Sequence, residues 1–267
     1  MGERMEVVIL CGGKGERLRE YTTTVPKPAV TIGSKPIIWH IMMMYAHAGF
    51  LDFTLCLGYK GEVIRQFFAD EGAEELTRDG DATLLAYGDL TVRLVDTGQN
   101  TMTGGRLKRI ERWIEGDAFL ATYGDCVSSI DLRALLDHHY EARRLATVTV
   151  VKPPPRFGVL TLKDDAVVSF MEKHRDNEPW INGGFFAFDR RVFDYLAGDE
   201  TLLELDPMAR LAATGELTGF VHEGFWQCMD TLPDALKLNS LWEAGDRPWA
   251  HWEHPPRTDR EESYVHP

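Results

Sequence analysis

Val7-Val8-Ile9-Leu10-Cys11 is an unbroken apolar run that ends in Gly12-Gly13-Lys14-Gly15-Glu16-Arg17. A stretch rich in Val and Ile, without polar alternation, predicts a strand buried on both faces, as in a parallel sheet. The glycines predict a tight turn into a helix start, where backbone N–H groups approach an anion closely. Lys14 and Arg17 add full positive charges. Open α/β sheets bind ligands at the carboxyl ends of their strands. The segment is therefore suited to a nucleoside phosphate.

Strand and helix patterns alternate after it. Strands are expected over 53–57, 92–96, 118–123 and 146–151, and helices over 36–49, 62–70, 106–114 and 132–143. Such alternation predicts β-α-β units and a mostly parallel sheet. Residues 71–88 are polar and irregular, and read as an insertion over the sheet. Pro153-Pro154-Pro155 is a stiff break. Beyond it, short strands are expected over 159–162, 167–172, 184–188 and within 220–229, with helices over 192–196, 207–213 and 232–243. The chain is thus divided into a nucleotide-binding core (1–152), a further part of the same domain (153–244) and a tail (245–267). Trp249 and Trp252 in that tail should pack on the body or on a neighbouring subunit.

At 44% apolar residues the chain can bury a large core, and its net charge of −13 argues against a nucleic-acid surface. No apolar run reaches membrane-spanning length. Cys11, Cys56, Cys126 and Cys228 are scattered, without a C-x-x-C. They read as reduced thiols of a cytoplasmic protein, with no disulfide framework and no zinc site. His138-His139 read as surface residues on a helix.

The glycine turn lacks the third glycine of a dinucleotide fingerprint and the G-K-[ST] ending of a P-loop. Pro26-Lys27-Pro28 presents an ammonium on a stiffened backbone, suited to a phosphate whose charge grows during displacement. Asp125 closes an apolar strand, Thr122-Tyr123-Gly124-Asp125, where an acid can hold Mg²⁺ against a phosphate. Asp230 is a second such acid, although its place just before Thr231 and a helix also suits an N-cap.

Gly12-Gly13-x-Gly15-x-Arg17-Leu18 with Pro26-Lys27-Pro28 resembles the sugar-phosphate nucleotidylyltransferases. Further segments extend the resemblance to about residue 243: Ile32-Gly33-x-Lys35-Pro36, Gly58-Tyr59-Lys60-Gly61, Tyr123-Gly124-Asp125 and Ile181-Asn182-Gly183-Gly184. The block Asp96–Arg109 and Trp226-Gln227-x-Met229-Asp230-Thr231 resemble the cytidylyl branch.

The resemblance implies a Rossmann-like open α/β sheet with flanking helices and a small sugar-binding β/α extension. It implies Mg²⁺-dependent transfer of CMP from CTP to a sugar 1-phosphate, α-D-glucose 1-phosphate first among them, giving CDP-glucose and pyrophosphate. Uridylyl or thymidylyl transfer to another sugar 1-phosphate, or a non-catalytic nucleotide-sugar sensor, are the alternatives. By the same resemblance Leu10, Cys11, Gly12, Gly13, Lys14, Gly15, Glu16 and Arg17 would wrap the nucleotide, and Thr101, Arg106 and Gly124 would help hold it. Arg17 and Lys27 would act on the phosphates, and Asp125 and Asp230 would bind Mg²⁺. Lys173, Asn182, Gly183 and Gly184 would meet the sugar phosphate. A homo-oligomer, up to a hexamer, is implied as well. The chain departs from the family pattern at Glu16 (for Thr), Cys126 (for Gly), His174 (for Pro) and Cys228 (for Pro).

Overall fold

Strand β1 (Glu6–Leu10) leads through the glycine turn to helix α1 (Arg19–Thr22), the ribbon β2 (Thr31–Ile32) and β3 (Lys35–Pro36), and helix α2 (Ile37–His47). Next come β4 (Asp52–Leu57), α3 (Gly61–Asp70), β5 (Glu74–Asp79), β6 (Ala82–Tyr87), β7 (Leu90–Asp96) and α4 (Thr103–Ile110). They are followed by β8 (Ala118–Tyr123), β9 (Cys126–Ser128), α5 (Leu132–Ala142), β10 (Ala146–Val151), β11 (Val159–Lys163) and β12 (Ala166–Met171). The last elements are β13 (Ile181–Asp189), α6 (Asp206–Ala213), β14 (Leu217–Val221), β15 (Trp226–Cys228) and α7 (Leu232–Glu243). The computed structural model describes residues 5–153, 159–171 and 179–253.

The main sheet has nine strands in the order β14-β10-β13-β8-β1-β4-β7-β6-β5. The pairs β8/β1, β1/β4, β4/β7 and β10/β14 are parallel. Strand β13 is antiparallel to both its neighbours, and β6 to both of its own. All strands except those two therefore point one way. The chain leaves β1 for β4 and β7 on one side, then returns to β8 on the other. The carboxyl ends of β1 and β8 thus flank the switch point at which open α/β sheets hold ligands.

Strand β1 explains the layering. Val7 and Ile9 join one core cluster and Val8 and Leu10 the other, so alternate side chains bury opposite faces of the sheet. Removing a side chain such as Ile9 from water is worth about 1.5–3 kcal/mol. Helix α5 is stopped and started locally: Asp131 caps it by accepting from the Ala134 amide at 2.9 Å, and Arg143 ends it at φ 53°.

Two expectations are corrected and a third, the packing of the tail tryptophans, is narrowed to the body. Residues 71–88 form the β5–β6 hairpin, which extends the sheet at its edge instead of lying over it. His139 is buried, its Nδ1 2.9 Å from the Thr147 hydroxyl, because it continues the inward stripe Leu132, Leu135, Leu136. Trp249 is fully buried against the body, where its indole stacks on Phe225 and its Nε1 donates to His40 Nδ1 at 3.4 Å. Trp252 is half-buried and meets Trp39 edge to face on the same body.

Candidate active site

A cleft of about 460 Å³ opens at the carboxyl ends of β1 and β8. Leu10, Cys11, Gly12, Gly13, Gly15, Glu16 and Arg17 form one wall, and Lys27 and Pro28 part of the floor. Thr101, Arg106, Gly124 and Asp125, also expected from the sequence, line it too, while Asp230, Asn182, Gly183 and Gly184 are not among the lining residues. Tyr123, Met102, Thr103 and Leu202 also line the cleft and were not given a role from the sequence, although Tyr123, Met102 and Thr103 lie within segments that carried the resemblance. Lys14 is exposed and stands outside the lining residues.

The glycine turn is built for approach. Gly15 adopts φ 62° and ψ 37°, the left-handed region that glycine enters without strain. Among the described residues, the amides of Gly13, Lys14 and Gly15 donate to no protein acceptor. Such unspent donors in a concave loop suit an anion. Gly124 closes against the same strand, its amide donating to the Leu10 carbonyl at 3.1 Å. A side chain there would come within 3.0 Å of Pro28 Cγ.

Arg106 lines the cleft and is also tied to the protein around it. It is 4% exposed, and its Nη1 donates to the carbonyls of Leu57 and Gly98 and to the Thr97 hydroxyl, at 2.7–3.0 Å. Its Nη2 donates to the Gly12 carbonyl at 3.1 Å. The guanidinium thus sews the glycine turn to the ends of β4 and β7.

The charged centre of the site is a triad. The Lys27 ammonium donates to Asp125 Oδ2 at 2.7 Å and to Asp230 Oδ1. Arg17 reaches the other Asp230 oxygen at 2.9 Å from a side chain that is 73% exposed. Burial opposes the charge on Lys27, but the Asp125 carboxylate and the hydrogen bonds to Asp125 and Asp230 outweigh it and hold the ammonium above the usual lysine range. Helix α7 is capped by Thr231 and Asp234, which exchange hydrogen bonds in a capping box. The competing N-cap role for Asp230 is therefore taken by its neighbour, and the Asp230 carboxylate turns to the cleft cations.

Two carboxylates converging on one cation fit a divalent metal. Their hard oxygen donors match Mg²⁺, and the ammonium between them marks the point where positive charge is favoured. Of the residues expected on the sugar side, Asn182 donates to the Tyr123 hydroxyl at 3.3 Å and accepts from the Gly184 amide at 2.8 Å. The Gly183 carbonyl accepts from the Trp226 indole at 2.7 Å. Lys173 and His174 lie outside the described residues. Glu16 is exposed at the head of a short 3₁₀ turn.

Cys126 and Cys228, read as isolated thiols, instead face each other across β9 and β15 beside Asp125. Cys126 is driven well above the usual thiol range by the hydrogen bond it shares with Cys228 and by burial.

The nucleotidyl transferase family model matches residues 6–240, and the chain belongs to that family. Over 261 residues it is 46% identical to a glucose-1-phosphate cytidylyltransferase of Salmonella typhimurium, covering 93% of this chain and 100% of that one. It is 40% identical over 255 residues to a probable glucose-1-phosphate cytidylyltransferase of Bacillus subtilis, again 93% of this chain and 100% of that one. The crystal structure of HddC from Yersinia pseudotuberculosis shares the fold with a TM-score of 0.68 at 22% identity, over 89% of this chain and 99% of that one.

Proposed function

We propose that this chain transfers CMP from CTP to α-D-glucose 1-phosphate, releasing pyrophosphate and forming CDP-glucose. The observation that carries the chemistry is the convergence of Asp125, Asp230, Lys27 and Arg17 at the mouth of the glycine turn. The choice of cytosine and glucose rests on the cytidylyltransferase relatives, which it matches over nearly its whole length.

In this reading the free amides of Gly13, Lys14 and Gly15 hold the triphosphate, while Arg106 keeps their loop in place. Asp125 and Asp230 would hold Mg²⁺, which supplies charge neutralisation at the phosphate oxygens. The sugar phosphate is already ionised near neutral pH, so the protein need not supply a strong base. Alignment for in-line attack on the α-phosphorus and stabilisation of charge are its main contributions. Lys27, stiffened by Pro26 and Pro28, meets the charge building at the reacting phosphate. Arg17 follows the departing pyrophosphate from its exposed position. Lys173 and Asn182-Gly183-Gly184 would hold the sugar phosphate, with Tyr123 keeping Asn182 in place.

The test is pyrophosphate release with each NTP in turn and a panel of sugar 1-phosphates in Mg²⁺. CTP with glucose 1-phosphate is the expected best pair, and Asp125→Ala abolishes its turnover while the circular-dichroism spectrum is kept. An unchanged rate in Asp125→Ala, or tight nucleotide-sugar binding without turnover for any pair, overturns the reading. Homo-oligomer formation belongs to the same proposal. It is supported by the exposed Val167, Val168 and Phe170 on β12, and light scattering of the purified chain tests it.

A further inference from the structure

The fold sets Cys126 and Cys228 directly opposite each other on β9 and β15. The flanking backbone bonds, Met229 amide to Asp125 carbonyl at 2.8 Å and Ser129 amide to Phe225 carbonyl at 2.9 Å, fall on the alternate positions. The cysteine pair is therefore of the kind without mutual backbone bonds, whose side chains approach most closely. The Cys126 thiol donates to Asp125 Oδ1 at 3.4 Å, while Oδ2 of the same carboxylate takes Lys27. The two sulfurs and a carboxylate oxygen all lie within 4.8 Å of one another.

We infer that Cys126, Cys228 and Asp125 form a binding site for a thiophilic divalent cation, Zn²⁺ in character, whose occupancy withdraws Asp125 from the transfer reaction. Sulfur selects soft and borderline cations, whereas Mg²⁺ prefers oxygen donors. Zn²⁺ takes thiolate and carboxylate ligands tetrahedrally, and three protein ligands leave a fourth position for water or a phosphate oxygen. Two sulfurs at the usual zinc–sulfur distance in a tetrahedral site stand about 3.8 Å apart, within reach of this pair by small side-chain rotations. Binding is balanced by proton release: one divalent cation replaces the protons of two thiols, and the carboxylate enters already charged. Cys126 is buried, and the partly exposed Cys228 provides the way in. The oxygen pair Asp125/Asp230 and the sulfur-containing set share one carboxylate, so a cation in the second deprives the first.

The experiment titrates the full chain, kept reduced with a phosphine, with Co²⁺ as a spectroscopic stand-in and then Zn²⁺. A saturable thiolate-to-cobalt charge-transfer band is expected, displaced by Zn²⁺ and absent from the Cys126→Ala/Cys228→Ser double variant. No band with the unaltered protein, or an equal band in the double variant, overturns the site. A second arm measures turnover in excess Mg²⁺. Zn²⁺ should inhibit the unaltered chain at least about tenfold more strongly than Cys228→Ser, a loss expected when one of three zinc ligands is removed. Equal inhibition of the two overturns the withdrawal of Asp125. That arm rests on the proposed transfer activity, while the cobalt spectrum does not, so the two readings fail separately.

Discussion

The guanidinium of Arg106 donates to the carbonyl of Gly12, 94 positions earlier in the chain, at 3.1 Å. A Cβ at Gly12 would stand 2.0 Å from that guanidinium. The first glycine of the turn is therefore required by a buried arginine as well as by any ligand.

Gly12→Ala should force Arg106 out of its hydrogen bonds to Leu57, Thr97 and Gly98. Hydrogen bonds to a charged group are worth about 1.5–3 kcal/mol, so the variant should lose about 2–4 kcal/mol of stability, together with most of its CTP affinity. Thermal unfolding and calorimetric titration with CTP measure the two effects. A melting temperature and CTP affinity equal to those of the parent would contradict this account.

Lys27→Ala should move two properties in opposite directions. Turnover should fall about 100-fold or more, as when a donor aimed at developing charge is lost. The free enzyme should meanwhile bind Mn²⁺ or Mg²⁺ more tightly, because Asp125 and Asp230 lose the ammonium that lies between them. Electron paramagnetic resonance of free Mn²⁺ measures the second effect. Weaker metal binding in the variant would show that Lys27 does not stand at the metal position.

His40 gives the fold a pH dependence. Burial lowers it from 6.5 to about 4, against hydrogen bonds with backbone carbonyls that favour the charged form. The unfolded chain takes up this proton from about pH 6.5 downward, and the folded chain only near pH 4. Stability is therefore complete above pH 6.5, declines as pH falls toward 4 and is flat below. The total contribution is about 3 kcal/mol at most. Urea unfolding at pH 7 and pH 4.5 should show a smaller acid loss in His40→Gln than in the parent, and equal losses would refute the assignment.

Trp249→Ala should cost about 3–5 kcal/mol, the usual loss for a large buried aromatic. The ring is fully buried and contacts Phe225, Trp242 and His40. Urea unfolding checks it; a loss below about 1 kcal/mol would mean the segment is a surface appendage.

The parallel centre of the sheet was legible because β1, β4 and β8 are mostly apolar and alternate with helices whose ends are recognisable, and β7 carries alternating apolar residues before α4. The β5–β6 hairpin was not, since every residue of Glu74–Asp79 is exposed and carries no burial period. The turn, Lys27, Asp125 and Asp230 could be picked out by residue type and neighbours. Their meeting could not, because Lys27 and Asp230 stand 203 positions apart and only the closed fold joins them. Arg106 lines the cleft, as its motif suggested, but its hydrogen bonds to three backbone carbonyls and the Thr97 hydroxyl depend on the closed fold and could not be read from the motif. The facing of Cys126 and Cys228 depends on strand register, which no local pattern in either segment encodes.

The hydrogen bond from Trp249 to His40 joins residues 209 positions apart. Helix α2 therefore presents an incomplete apolar face to the ribosome's surroundings until Trp249 has emerged. A chain stopped before that point lacks the ring that completes this part of the core.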